Sequence, residues 1–250
     1  MFFFNVCKTK KGENMRVRVK YSKQGLMRFI GHLDMMRYFQ KACRRAGIDV
    51  VYTEGLSPHM SMSFALPLGV GMTSDSEYVD VDLVDDTLSG VEIVRRLNES
   101  VPEGVHFLDA RQIPVGKAYK GMTLAARADY TLRMNSMDSW DDDWNNGFMM
   151  WLTQPEILVL KKGKKTEKEI NIRPLIYEEN YDGEKLTLGL SAGLDRNIRP
   201  ELVMRAFAEA SGREYRPTLF SINRDEVFAD LGKGMQHRFA ALIELGDVIS

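Results

Sequence analysis

Between residues 16 and 108 the spacing of apolar side chains switches back and forth between a period of two and a period of three to four. That alternation restricts the chain to folds that mix sheet and helix. Arg16 to Tyr21 set Val17 and Val19 on one face and Arg16, Arg18 and Lys20 on the other, the pattern of a half-buried strand with a cationic outer face. A helix is expected from about Leu33 to Ala46. Leu33, Met36, Phe39, Gln40 and Cys43 recur at helical spacing, and Gly47 is placed to stop it. A short strand at 49–53, an irregular stretch at 54–67, an alternating strand at 77–83, a second helix at 89–101 and a strand at 105–108 follow. The order strand, helix, strand, strand, helix, strand is that of a ferredoxin-like unit.

After the stretch 117–122 a similar order returns. Strands are expected at 130–134, 156–161, 169–177, 185–191 and 218–223, with helices at 140–152 and 200–210. Trp140, Trp144 and Trp151 fall on one face of the first of these helices, which suits core packing or an interface. The expected fold class is therefore α+β, two ferredoxin-like (βαββαβ) units in tandem. The units span 15–116 and 123–223, between a disordered leader at 1–14 and a C-terminal tail at 224–250. The apolar run before Lys8 has the reverse order of a secretory signal and is too short for one, and Met15 is read as the natural or an alternative start.

A chain of 250 residues that is 44% hydrophobic and 28% charged has the make-up of a folded domain, and intrinsic disorder is excluded. Cys7 and Cys43, the two cysteines, cannot supply a disulfide framework, a four-thiolate zinc site or an iron–sulfur cluster, so a cytoplasmic protein is expected. No apolar run reaches the roughly 18 to 20 residues that span a bilayer, and no membrane partner is expected. His32, His59, His106 and His237 have no helix-spaced companion, so no metal and no cofactor are expected.

Thirty-four Lys and Arg against 35 Asp and Glu argue against a uniformly basic protein, yet the charges are unevenly placed. From Lys8 to Arg45 there are twelve bases and two acids, whereas Asp75, Glu77, Asp80, Asp82, Asp85 and Asp86 follow with no base among them. The chain thus reads as dipolar, with a face suited to an anion. Arg16, Arg18, Lys20, Arg28, Arg37, Lys41, Arg44 and Arg45 are the candidate RNA-phosphate contacts, with a solvated helix face as the plain alternative. His32 opens the first helix, where it is either a cap or a candidate general base toward a ribose hydroxyl. Ser57 and His59 lack an orienting acid and do not form a triad. His32, Asp34, Glu54, Ser57 and His59 are expected to line one polar pocket, with Arg28 at its rim.

The stretches Arg28-Phe29-Ile30-Gly31-His32-Leu33-Asp34, Arg44-Arg45-Ala46-Gly47, Glu54-Gly55-Leu56-Ser57-Pro58-His59, Ser63-Phe64-Ala65-Leu66-Pro67-Leu68-Gly69-Val70 and Ser76-Glu77-Tyr78 resemble the bacterial radical-SAM-linked family, a domain of unknown function. The resemblance spans Met15 to Leu108, and Ile170 to Ile176 resembles a second block of it. Family members are fused behind a radical SAM protein or encoded alone, often near genes for an RNase of the E/G type and ribosomal proteins. The resemblance implies a radical SAM protein and RNA as partners, and it transfers no catalytic residue. This chain lacks a three-cysteine cluster motif and so resembles the partner half. The expected role is a non-catalytic RNA-binding or substrate-presenting accessory of a radical SAM enzyme in RNA modification or processing. The alternatives are a metal-independent endoribonuclease with His32 as general base, by fold analogy alone, and a small-ligand or protein-binding module.

Overall fold

The computed structural model describes residues 14–135, 140–141, 143–162, 167–194, 196–232, 234 and 236–250. Cys7 and residues 1–13 of the expected leader lie outside them. In chain order the elements are β1 (Met15–Lys23), α1 (His32–Arg45), β2 (Met62–Phe64), β3 (Thr73–Leu83), α2 (Gly90–Ser100), β4 (Val105–Gln112), α3 (Gly121–Leu124), β5 (Ala125–Met134) and α4 (Trp144–Leu152). They continue with β6 (Leu158–Lys162), β7 (Glu167–Asn171), β8 (Ile176–Tyr181), β9 (Leu186–Ser191), α5 (Pro200–Ser211), β10 (Phe220–Asp230), β11 (Phe239–Ala241) and β12 (Asp247–Val248). A large, mostly antiparallel sheet with helices makes this an α+β chain.

Two compact units divide the chain, residues 1–126 with 224–250, and residues 127–223. The expected tail is corrected by this division. Residues 224–230 complete β10, Val227 and Ala229 are buried, and Leu242 and Ile243 are buried in the first unit.

In the first unit the strands lie in the order β12-β4-β1-β3, with the end of β10 beyond β3 and β2 also paired to β3. β1 runs antiparallel to β3 and β4, and β2 antiparallel to β3. The valines expected on one face of β1 do face a core. Val17, Val19 and Tyr21 join Val79, Val81 and Phe107 of the sheet with Met35 and Phe39 of α1 and Ile93 and Leu97 of α2, so both helices cover one face. Phe39 sits at the centre, its ring 4.7 Å from Tyr21, 5.2 Å from Phe64 and 5.3 Å from Phe107. Burying such a ring contributes about 1.5–3 kcal/mol. Ser89 caps α2 by accepting from the Glu92 backbone N–H, and Gly90 lies where a Cβ would stand 2.3 Å from the Ala110 carbonyl oxygen. Only glycine lets α2 begin that close to β4. The strand expected at 49–53 reduces to the isolated bridges Val50–Leu83 and Tyr52–Met60.

In the second unit β9 lies between β5 and β8, antiparallel to both, and the first residues of β10 lie beyond β5. α4 starts at Trp144, later than the spacing suggested, and Trp144, Phe148 and Trp151 are buried, the last two against Phe207 of α5. Trp144 and Trp151 are core, and Trp140, ahead of the helix and half-buried, packs its ring against Trp144 and Phe207. α5 opens on Pro200 and stops at Gly212, whose φ of +69° is a left-handed cap that glycine adopts without strain. Pro174 within the turn Arg173–Leu175 breaks the strand expected at 169–177 into β7 and β8. Among the described residues no helix is long and apolar enough to cross a membrane.

Candidate nucleic-acid interface

The cations of β1 do not present the free outer face that alternation alone suggests. Strand pairing sets Arg16 opposite Asp82 and Arg18 opposite Asp80, and each guanidinium grips its carboxylate with two hydrogen bonds. Arg18 is fully buried and also donates to the carbonyls of Tyr119 and Leu242. Beside it an apolar cavity of about 250 Å³ lies among Ile113, Leu124, Leu231 and Leu245. Lys20 reaches Glu226 at 2.7 Å, and Tyr78 donates to the same carboxylate. Burial pushes the Asp82 carboxyl up, but bonds from Arg16 and Ser61 outweigh it and hold the group below its ordinary range. Arg16, Arg18 and Lys20 are thus occupied by internal partners, which removes them as phosphate contacts.

The cations of α1 differ. Arg37, Lys41, Arg44 and Arg45 are all exposed on the face turned away from Met35, Phe39, Ala42 and Cys43. Arg37 pairs with Asp34 at 3.0 Å, Arg44 donates to the Tyr52 hydroxyl and Arg45 to the Ser100 carbonyl. The last two also lie in the final turn, where a cation is favoured by the helix dipole. Lys41 has neither explanation. It makes no ion pair among the described residues, and its neighbours four residues away on either side are Arg37 and Arg45. Like charges at that spacing each cost a helix about 0.2–0.5 kcal/mol.

The five residues expected to share a polar pocket are not brought together. His32 packs edge-on against Phe64, with ring centroids 5.2 Å apart, and Asp34 pairs with Arg37. His59 is bonded inside its own loop, at 3.0 Å to Thr53 Oγ1 and 3.3 Å to the Ser57 carbonyl, while Glu54 and Ser57 are exposed. That loop adjoins Tyr52, which meets Arg44 near the far end of α1, roughly 18 Å along the helix from His32 at 1.5 Å per residue. Burial pushes the His32 imidazole below its ordinary range. Arg28 lies over the Phe29 ring, 4.8 Å from its centroid.

Two features escape a reading of the sequence. Leu26, Phe29, Leu33 and Val70 are exposed apolar side chains, on two segments joined where the Gly71 N–H bonds the Arg28 carbonyl. Buried in the same unit, Arg224 donates to both oxygens of Glu77 and to the Leu66 carbonyl, and Lys23 donates to the Ile30 carbonyl. Glu77 and Leu66 are 147 and 158 residues from Arg224, a separation over which periodicity carries no signal. Among the described residues no group of three or more His, Cys, Asp or Glu is placed to hold a metal.

Residues 16–200 match the family model described as "uncharacterized protein conserved in bacteria" (DUF2344). No curated protein matches the chain.

Proposed function

The chain belongs to the bacterial family DUF2344, and on that premise we propose that it is a non-catalytic RNA-binding protein that presents RNA to a radical SAM enzyme. The observation that carries the RNA reading is Lys41, held between Arg37 and Arg45 at a cost in helix stability that an anionic partner would offset. Phosphates spaced along a strand bind such a row of cations and release counterions. The enzyme partnership comes from the resemblance to the radical-SAM-linked family. The exposed Phe29, Leu33 and Val70 lie in stretches that carry that resemblance and, with the exposed Leu26, provide an apolar contact for a protein partner.

The order β4-β1-β3-β2 in the first unit, and β10-β5-β9-β8 with the β6–β7 hairpin set apart in the second, support two ferredoxin-like units in tandem.

Fluorescence anisotropy of a labelled single-stranded RNA, titrated with the full chain at several salt concentrations, tests the RNA reading. Salt-dependent binding that weakens on Lys41→Glu is expected. Binding indifferent to both would overturn it. Association with a purified radical SAM protein, lost on Phe29→Asp, tests the partnership, and no association would remove it.

A further inference from the structure

At the C-terminal end of α1 the row of exposed cations meets an aromatic ring. Arg44 Nη2 donates to the Tyr52 hydroxyl at 3.2 Å. Among the described residues, Phe29 and Tyr52 are the only Phe, Tyr or Trp side chains that are exposed, Tyr52 by 47%. They differ in one respect. The Arg28 guanidinium lies over the Phe29 ring, whereas no ring or cation among the described residues stacks on Tyr52. The mount of the Tyr52 ring is well tied. Tyr52 bridges Met60, and on either side of that bridge the Thr53 and Ser61 N–H groups bond the His59 and Val51 carbonyls, at 2.8 and 2.7 Å. Backbone and hydroxyl are both held while much of the ring stays in water, and apolar ring surface gains free energy when a partner covers it. Arg44 and Arg45 stand three and four residues beyond Lys41, so all three cations share the side of the helix that the ring borders.

We propose that α1 takes RNA as an unpaired single strand, with one base stacked on Tyr52 while Lys41, Arg44 and Arg45 pair with the flanking phosphates. This rests on the reading of α1 as an RNA site and names the class of RNA that the site accepts. The ring decides the class. Inside a duplex the bases are paired and stacked on one another, and a protein meets phosphates, sugars and groove edges, so an open ring beside the cations adds nothing there. In a single strand the bases are free to splay out and stack on aromatic side chains. A ring already held in place loses little freedom when a base covers it, which preserves the gain from stacking. Arg44 serves twice, since one of its N–H groups holds Tyr52 and the rest can meet a phosphate. Every base has a π face, so the site is tolerant of sequence.

Fluorescence anisotropy with the full chain and labelled probes of equal length tests the proposal: oligouridine, its duplex with oligoadenosine, and an abasic ribose-phosphate strand. Oligouridine is expected to bind about tenfold tighter than the abasic strand, and tighter than the duplex. Tyr52→Leu, at an exposed position, should erase the margin over the abasic strand and leave the affinity of the abasic strand itself unchanged, while circular dichroism shows the fold kept. Tyr52→Phe keeps the ring and deletes the hydroxyl that Arg44 holds, so it should keep most of the margin. Lys41→Glu should weaken all three probes, because each carries phosphates. Oligouridine affinity indifferent to Tyr52→Leu, or a duplex bound as tightly as the single strand, would overturn the proposal. With the Lys41 dependence intact, either result leaves the RNA reading of α1 standing. Probes that bind without regard to Lys41→Glu, or do not bind at all, would remove both.

Discussion

Arg18 and Asp80 face one another on neighbouring strands: two hydrogen bonds of 2.7 and 3.1 Å join side chains that are 0% and 2% exposed. A second oxygen bond from the Gly121 N–H anchors Asp80, and the Tyr119 and Leu242 carbonyls anchor Arg18. Removing one partner leaves a buried charge uncompensated, so Arg18→Leu is expected to cost about 3–5 kcal/mol of unfolding free energy. Adding Asp80→Leu should recover part of that and not all, because the Gly121 N–H and both carbonyls lose their partners. Urea unfolding of the two variants checks this. A single variant as stable as the parent would show the pair to be dispensable.

On α1 the expected behaviour is electrostatic. Four phosphate contacts by Arg37, Lys41, Arg44 and Arg45 correspond to a log–log salt slope of about −2.8 on a single strand, at about −0.7 per phosphate. Substituting Lys41, Arg44 and Arg45 together by Ala should bring the slope to about −0.7. The side chains are exposed, so the fold should tolerate the change. A slope unaltered in the triple variant would place the RNA elsewhere.

Strand β1 shows where sequence reading succeeds and where it stops. Alternation correctly assigned Val17 and Val19 to one face and Arg16, Arg18 and Lys20 to the other, but a period of two says which face is polar and not whether that face is wet. The basic stretch before Arg45 and the acidic stretch after Asp75 looked like two ends of a dipole. Antiparallel pairing lays Arg16 and Arg18 against Asp82 and Asp80, so much of that charge cancels inside the sheet. Whether Arg18 is dry depends on the backbone at Tyr119 and Leu242, far away in sequence. The helices were legible to within a residue or two in α1, α2 and α5, since each has an apolar face and a recognisable stop. The shared pocket for His32 and His59 failed for a related reason. Loop residues carry no periodicity, and their neighbours are set by the Tyr52–Met60 bridge and the contact with Phe64.

His32 should behave as a packing residue. Burial lowers its folded-state pKa below the unfolded value of about 6.5, so the neutral imidazole is favoured. Its contribution to stability is therefore fully present above pH 6.5 and is lost as the pH falls from there through the folded pKa. Proton NMR titration of the His32 ring should give a midpoint below 6.5. RNA affinity should not change through His32 between pH 8 and 6.5. A midpoint above 6.5 would mean that an anionic neighbour, not Phe64, governs the ring.

Arg224 lies beyond the residues matched by the family model yet belongs to the unit that begins with β1. Its guanidinium is the cation bonded to the buried Glu77 carboxylate, at 2.9 and 3.1 Å, and it reaches the Leu66 carbonyl as well. Two residues on, Glu226 holds Lys20, Ser76 and Tyr78. Replacing Arg224 by Met keeps the apolar stem and deletes the charge, which leaves Glu77 with the more distant Lys23 as its compensating cation. A loss of about 3–5 kcal/mol is expected, as for any buried pair broken on one side. Glu77→Gln alongside Arg224→Met should restore part of it, since the neutral amide no longer needs a cation. A chain ending at residue 223 would lose Arg224, Glu226, Leu242 and Ile243 together, and should expose the β3 edge and fail to reach a cooperative thermal transition in its first unit. Cooperative unfolding of that shortened chain at the parent's midpoint would show that β10 only decorates the sheet.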